Sequence, residues 1–217
     1  MTEVREKART ARRQATRDRV LDAALAVFAE RGVIGSSVED ICERAGFTRG
    51  AFYSNFADKG QLVDALVERE HARVIASLDA NLALTFADGP AADAPDDLAT
   101  MAPVVERILG AVPVDRTVAM LQTELEIHAI RQPDMSASFR GADARFRARI
   151  AQFIELGTGL RNRELLVPAS DVADAAIAIV ERSVRRALLE GRGADPDAMA
   201  RSVLPLLLLA VSGPAAG

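Results

Sequence analysis

The stretch Ser37-Val-Glu-Asp-Ile-Cys-Glu-Arg-Ala-Gly-Phe-Thr-Arg-Gly-Ala-Phe-Tyr-Ser-Asn-Phe sorts its side chains into two sets. Ile41, Ala45, Phe47, Phe52 and Phe56 recur at intervals that put them on one side of two short crossing helices. Leu25 and Phe28 can cover that side, and Gly46 permits the tight turn between the helices. The other side is left to Thr48, Arg49, Gly50, Tyr53 and Asn55. These are small or hydrogen-bonding residues, and a short helix that carries them fits the major groove of duplex DNA, where base edges offer donors and acceptors. Arg49 suits either a base or a phosphate, and its residue type alone leaves both open.

A second polar set lies far downstream. Thr117, Glu124 and His128 follow one another at spacings of seven and four, between Met120 and Ile127 on one flank and Leu121 on the other. A polar stripe inside an apolar arc is the pattern of a ligand pocket, and these five positions, Thr117, Met120, Glu124, Ile127 and His128, are the predicted ligand contacts. The same residues also admit an ion pair between Glu124 and His128 or an arginine of the next helix. Two ligands four residues apart, with His71 the one other histidine and Cys42 the one cysteine, fall short of a transition-metal set. No nucleophile, base and orienter come together in the pattern, so neither a cofactor nor an enzyme is expected.

The elements that position these residues are read as helices. Val20, Leu21, Ala24, Leu25 and Phe28 mark one helical face from Arg13 to Glu30, closed by Gly32. Ser36 and Ser37 cap Val38 to Ala45, with Glu39 and Asp40 in the first turn where the helix dipole favours acids. Thr48 caps Arg49 to Asn55, and Asp58 opens a long helix from Lys59 to Leu84. Beyond a loop from Ala87 to Asp97, helices are predicted at Leu98 to Gly110, Pro113 to Arg131, Pro133 to the break at Asn162–Pro168, Asp171 to Glu190, and Pro196 to Val211. No segment alternates as a strand, and the sum is an all-α fold of about nine helices.

Charge is unevenly divided along the 217 residues. The net charge is −4, yet residues 1–60 hold 11 Lys and Arg against 9 Asp and Glu, leaving +2 there and −6 in the remainder. The first 19 residues alone carry +4, a balance that suits phosphates. A single cysteine excludes an internal disulfide framework. The charged opening lacks the apolar run of a signal peptide, and Val203 to Val211, interrupted by Pro205, is too short to span a membrane. A cytoplasmic protein is expected. The predicted domains are a basic arm (1–12), a three-helix DNA-binding domain (13–60), and a larger helical domain for ligand binding and dimerisation (61–213). Ile179, Val184, Leu188, Leu204 and Leu208 on the last two helices are the predicted anchors of a four-helix bundle between two copies.

Arg31-Gly, Ser37-Val-Glu-Asp-Ile, Ala45-Gly and Arg49-Gly-Ala-Phe-Tyr-Ser-Asn-Phe followed by Asp58-Lys59 together resemble the TetR family of bacterial transcriptional regulators over about residues 13–65. Thr123-Glu-Leu-Glu-Ile-His-Ala with Arg131-Gln-Pro is also similar to a segment of one branch of that family. The resemblance implies that Thr48, Arg49, Gly50 and Ala51 meet base edges or nearby phosphates, and that Tyr53 and Lys59 hold the DNA backbone. It also implies that Ser37 offers its amide and hydroxyl to a phosphate. Asn55 stands where many relatives carry His, and Cys42 where a small buried residue is usual. The function it implies is a homodimeric repressor on a palindromic operator, released by a small molecule. A DNA-binding protein controlled by a protein partner is the alternative.

Overall fold

The structure, a computed structural model, describes residues 2–85, 97–110, 112, 116–131, 137–191 and 194–215. Helix α1 runs over Thr2–Arg31, so the residues expected to form a separate arm continue the first helix. Apart from two threonines and Val4, this N-terminal extension is built from alanine and charged residues without proline or glycine, and nothing in it breaks a helix. Val20, Leu21, Ala24, Val27 and Phe28 line its buried side. Gly32 ends it at φ +73°, its N–H donating to the carbonyl of Phe28 at 2.8 Å.

Helix α2, Val38–Ala45, starts in a reciprocal cap. The Ser37 hydroxyl accepts from the Asp40 amide at 3.1 Å, and the Asp40 carboxylate accepts from the Ser37 amide at 2.9 Å. Gly46, at φ +68°, closes α2. Helix α3, Arg49–Tyr53, is capped by Thr48 and ends two residues short of Asn55. There follow α4 (Lys59–Thr85), α5 (Leu98–Leu109), α6 (Arg116–Arg131), α7 (Ala137–Gly159), α8 (Ala169–Glu190) and α9 (Ala198–Ala210). The described residues thus hold nine helices, and the fold is all-α. The expected loop at 87–97, save Asp97, and the helix starts expected at Pro113 and Pro133 lie outside the described residues.

The expectation of no strands is corrected by a short antiparallel ribbon. Strand β1 (Arg163–Leu165) pairs with β2 (Ser212–Pro214) in the register Arg163 to Pro214 and Leu165 to Ser212. Three residues per strand are too few to leave an alternating pattern in a sequence. What holds the ribbon is Arg163, 6% exposed, which donates to the Ser212 hydroxyl at 2.8 Å and to the carbonyls of Ser212 and Leu209 at 2.5 and 3.3 Å. The buried guanidinium therefore satisfies carbonyls at the C-terminal end of α9.

The chain divides into two compact units, Met1–Glu70 with Arg116–Ala142, and His71–Asp115 with Asp143–Gly217. Helix α6, which lies within the residues 61–213 expected to form the ligand-binding domain, packs within the first unit. Leu121 and Leu125 of α6 are buried in one core with Phe28, Ile41, Phe52, Phe56, Leu62 and Leu66. The second unit has two clusters of its own. Met101, Val105 and Leu109 of α5 pack on Ala200 and Leu204 of α9, and Leu78, Ile150 and Ala173 join α4, α7 and α8.

Two predicted dimer anchors are corrected by this packing. Val184 and Leu204 are buried within the protomer, at 8% and 7% exposure, and Ile179 and Leu208 pack half-buried against the α5–α9 cluster. Leu188 is half-buried. The apolar side chains exposed on these helices are instead Leu189, Val203 and Leu206. Helical period alone does not say which of two apolar faces meets the protomer's own core. No helix among the described residues is long and apolar enough to cross a membrane.

Candidate DNA-binding interface

Phe52, fully buried beside Phe56 at 5.7 Å between ring centroids, seats α3 on the core and turns its other side to solvent. Thr48, Arg49, Gly50 and Tyr53 are all exposed there, Tyr53 at 48%. The Tyr53 ring stands edge-on to Phe52, at 5.3 Å and 84°, which fixes its direction away from the core. Thr48 spends its hydroxyl oxygen on the Ala51 amide at 3.2 Å, the N-cap of α3.

Arg49 is pre-set by two neighbours. Its guanidinium pairs with Glu39 of α2 at 2.7 Å and lies 5.9 Å from the Tyr53 ring centroid. The Tyr53 hydroxyl, and after it Glu39, push its pKa further above the ordinary arginine value, so it stays cationic. A planar fork held over an aromatic ring on an exposed helix is equipped for bidentate contact with a guanine edge or a phosphate.

Three expected contacts turn inward. Asn55 is half-buried and donates to the Ala51 carbonyl at 2.8 Å, while its Oδ1 is buried with no hydrogen-bond partner among the described residues. Lys59 donates to the carbonyls of Val33 and Ser36 at 2.9 and 2.8 Å, so it ties the start of α4 to the turn between α1 and α2. The Ser37 amide and hydroxyl both donate to the Asp40 carboxylate, at 2.9 and 2.6 Å, in place of the phosphate that the sequence suggested. Of the four amides that helix geometry leaves without an intrahelical carbonyl, Ser37 to Asp40, the cap takes those of Ser37 and Asp40. Ala51 is half-buried.

The basic residues of α1 show a role the sequence did not disclose. Arg13 donates to the Ser54 carbonyl at 3.2 Å, Arg17 to that of Asn55 at 3.3 Å, and Arg19 to that of Ala45 at 3.2 Å. Arg17 also stacks on Phe56, and Arg19 on Phe47, at 4.5 and 4.6 Å from the ring centroids. These cations meet carbonyls at the C-terminal ends of α2 and α3, where the helix dipole favours positive charge. Arg13 and Arg17, four residues apart, share one helix face, and that spacing is the signal that could have found those two.

The downstream polar set is also placed differently. The Glu124 carboxylate, expected to face a chamber or an ion pair, accepts a 2.6 Å hydrogen bond from the Val33 amide. Leu121 and Leu125, buried on either side of it in sequence, carry α6 onto the first unit and aim Glu124 at the α1–α2 turn. Thr117 is half-buried, Met120 and Ile127 are exposed, and the His128 side chain lies outside the described residues. A groove of about 350 Å³ is found elsewhere, between α8 and α9, lined by Ser183, Arg186, Glu190, Asp195, Met199 and Ser202. Among the described residues no group of three or more His, Cys, Asp or Glu is placed to hold a metal.

Residues 20–66 match the family described as bacterial regulatory proteins, tetR family. The chain is 45% identical over 58 residues to the HTH-type transcriptional regulator TtgR of Pseudomonas putida, a match covering 27% of this chain and 28% of that protein. The chain therefore spans under half of the length of the curated relatives it matches, 28% of TtgR and 42% of TtgW of the same species. Two solved structures extend the likeness along the chain. SmeT, the repressor of the Stenotrophomonas maltophilia multidrug efflux pump SmeDEF, is 27% identical with a TM-score of 0.58, covering 93% of this chain and 92% of that one. The regulator FadR of Bacillus subtilis, solved with stearoyl-CoA, is 19% identical with a TM-score of 0.65 over 88% of this chain and 96% of that one, a likeness of fold.

Proposed function

From the match of residues 20–66 to the tetR family of bacterial regulatory proteins, we propose that this chain is a member of that family and a sequence-specific transcriptional repressor, not an enzyme. In this reading it works in the cytoplasm as a homodimer on a palindromic operator and leaves the DNA when a small molecule binds. The observation that carries the reading is the exposed face of α3, where Thr48, Arg49, Gly50 and Tyr53 stand clear of a core sealed by Phe52 and Phe56. A dimer would set two such helices roughly 34 Å apart, one turn of duplex.

Leu189, Val203 and Leu206 replace Val184 and Leu204 as the proposed contacts between copies, because they are the apolar side chains on α8 and α9 still open to a partner. Control by a small molecule is supported by the stearoyl-CoA held by FadR, a protein of like fold. Thr117, Met120, Ile127 and His128 remain the proposed effector contacts, while Glu124, committed to Val33, leaves that set. That commitment also favours the second reading, control by a protein partner.

Selection of bound duplexes from a random pool tests the proposal. The expected result is one inverted repeat with half-sites about 10 base pairs apart, from a protein that sediments as a dimer. Equal retention of all duplexes would overturn it. A screen of small molecules for release of the selected duplex then separates effector control from partner control.

A further inference from the structure

The turn between α1 and α2 is anchored by one of its own side chains and by two from elsewhere in the chain. Ser36 donates its hydroxyl to the Gly32 carbonyl, Lys59 of α4 takes the Val33 and Ser36 carbonyls, and Glu124 of α6 takes the Val33 amide. Glu124 is the most distant of these in sequence, 91 residues from its partner. At 2.6 Å to a charged acceptor, its bond is of the short, charge-assisted kind. The fit leaves no spare room, because a Cβ on Gly32 would stand 2.8 Å from the Glu124 carboxylate. Gly32 is favoured by its positive φ, and a side chain there would also have to push this carboxylate aside.

The turn leads directly into Ser37, the cap of α2, and α2 carries Glu39, which holds Arg49. We infer that Glu124 is a positioning residue for DNA recognition: by latching the Val33 amide it sets where α2 begins, and through α2 the placement of Arg49. The inference rests on the DNA-binding reading above. It makes α6, the one helix of the first unit that comes whole from beyond residue 70, part of the machinery that shapes the DNA-binding face.

The test uses the full chain with Glu124→Ala and Glu124→Gln, the duplex selected by the unaltered protein, and amide proton–nitrogen spectra. Glu124→Ala should weaken that duplex about tenfold, while Glu124→Gln, which keeps a neutral acceptor, should stay within about threefold. The Val33 amide proton should move upfield in both variants and further in the alanine, with α8 and α9 resonances unmoved. Unaltered affinity in a folded Glu124→Ala protein would overturn the inference. Should that variant fail to fold, Glu124→Gln decides, since a Val33 proton that does not move shows that no such latch exists. If the unaltered protein selects no duplex, the DNA reading falls, while the Val33 resonance still reports on the latch.

Discussion

The guanidinium of Arg17 lies 4.5 Å above the ring of Phe56, one of the most deeply buried side chains in the protein, and donates to the carbonyl just before that ring. A residue that the charge balance suited to phosphates is therefore a clasp between α1 and the segment that follows α3. Arg17→Ala should lower stability by roughly 1–2 kcal/mol, the worth of a cation–π contact and a charged hydrogen bond at a half-buried site. Arg17→Lys should recover only part, because an ammonium lacks the planar stack. Urea midpoints measure both, and an unchanged midpoint in Arg17→Ala would refute the clasp.

Lys59 makes a second such case. With two of its three N–H groups on the Val33 and Ser36 carbonyls, Lys59→Ala leaves two acceptors short and should cost about 2 kcal/mol. Binding should weaken on all duplexes alike, and the slope of log affinity against log salt should hardly change, because no phosphate contact is lost. A slope reduced by about one would instead place Lys59 on the DNA backbone.

Arg49 is held by Glu39 before any DNA arrives. Arg49→Ala should relax the selected sequence at one position in each half-site, by about 1–3 kcal/mol of lost discrimination if it reads a base. Glu39→Gln releases Arg49, and should raise affinity for unselected duplexes while narrowing the gap between selected and unselected ones. Competition binding at fixed salt gives both quantities.

The Ser37 hydroxyl and amide, and then Arg31, hold the Asp40 carboxyl below its ordinary value near 3.8. A depressed folded value means that the cap contributes stability above the unfolded value and loses it as pH falls through the folded one. Acid below about pH 4 should therefore loosen the start of α2, and Asp40→Asn should remove that acid response. The Ser37 amide resonance, followed against pH, reports the transition.

Much of this was legible in the residues. Ser37, Gly46 and Thr48 bound α2 and α3 through local hydrogen bonds and a local φ, and local chemistry is written in short windows of sequence. The period of Val20, Leu21, Ala24 and Phe28 likewise marked a buried face before any partner for it was known. The ribbon of Arg163 and Ser212 left no such trace, since its strands are three residues long and their pairing spans 49 positions. Val184 and Leu204 carried the right period for an exposed seam, yet the interior of their own unit claimed them.

The sequence by itself determined the order of the helices and the exposed polar face with Arg49 and Tyr53. The tertiary structure alone decided which charges face outward. Arg13, Arg17 and Arg19 go to helix-end carbonyls, Lys59 to the α1–α2 turn, and Glu124 to Val33. The reason is physical: a charged side chain goes to whichever partner folding brings within about 3 Å, and partners 23 to 91 residues away are invisible to periodicity.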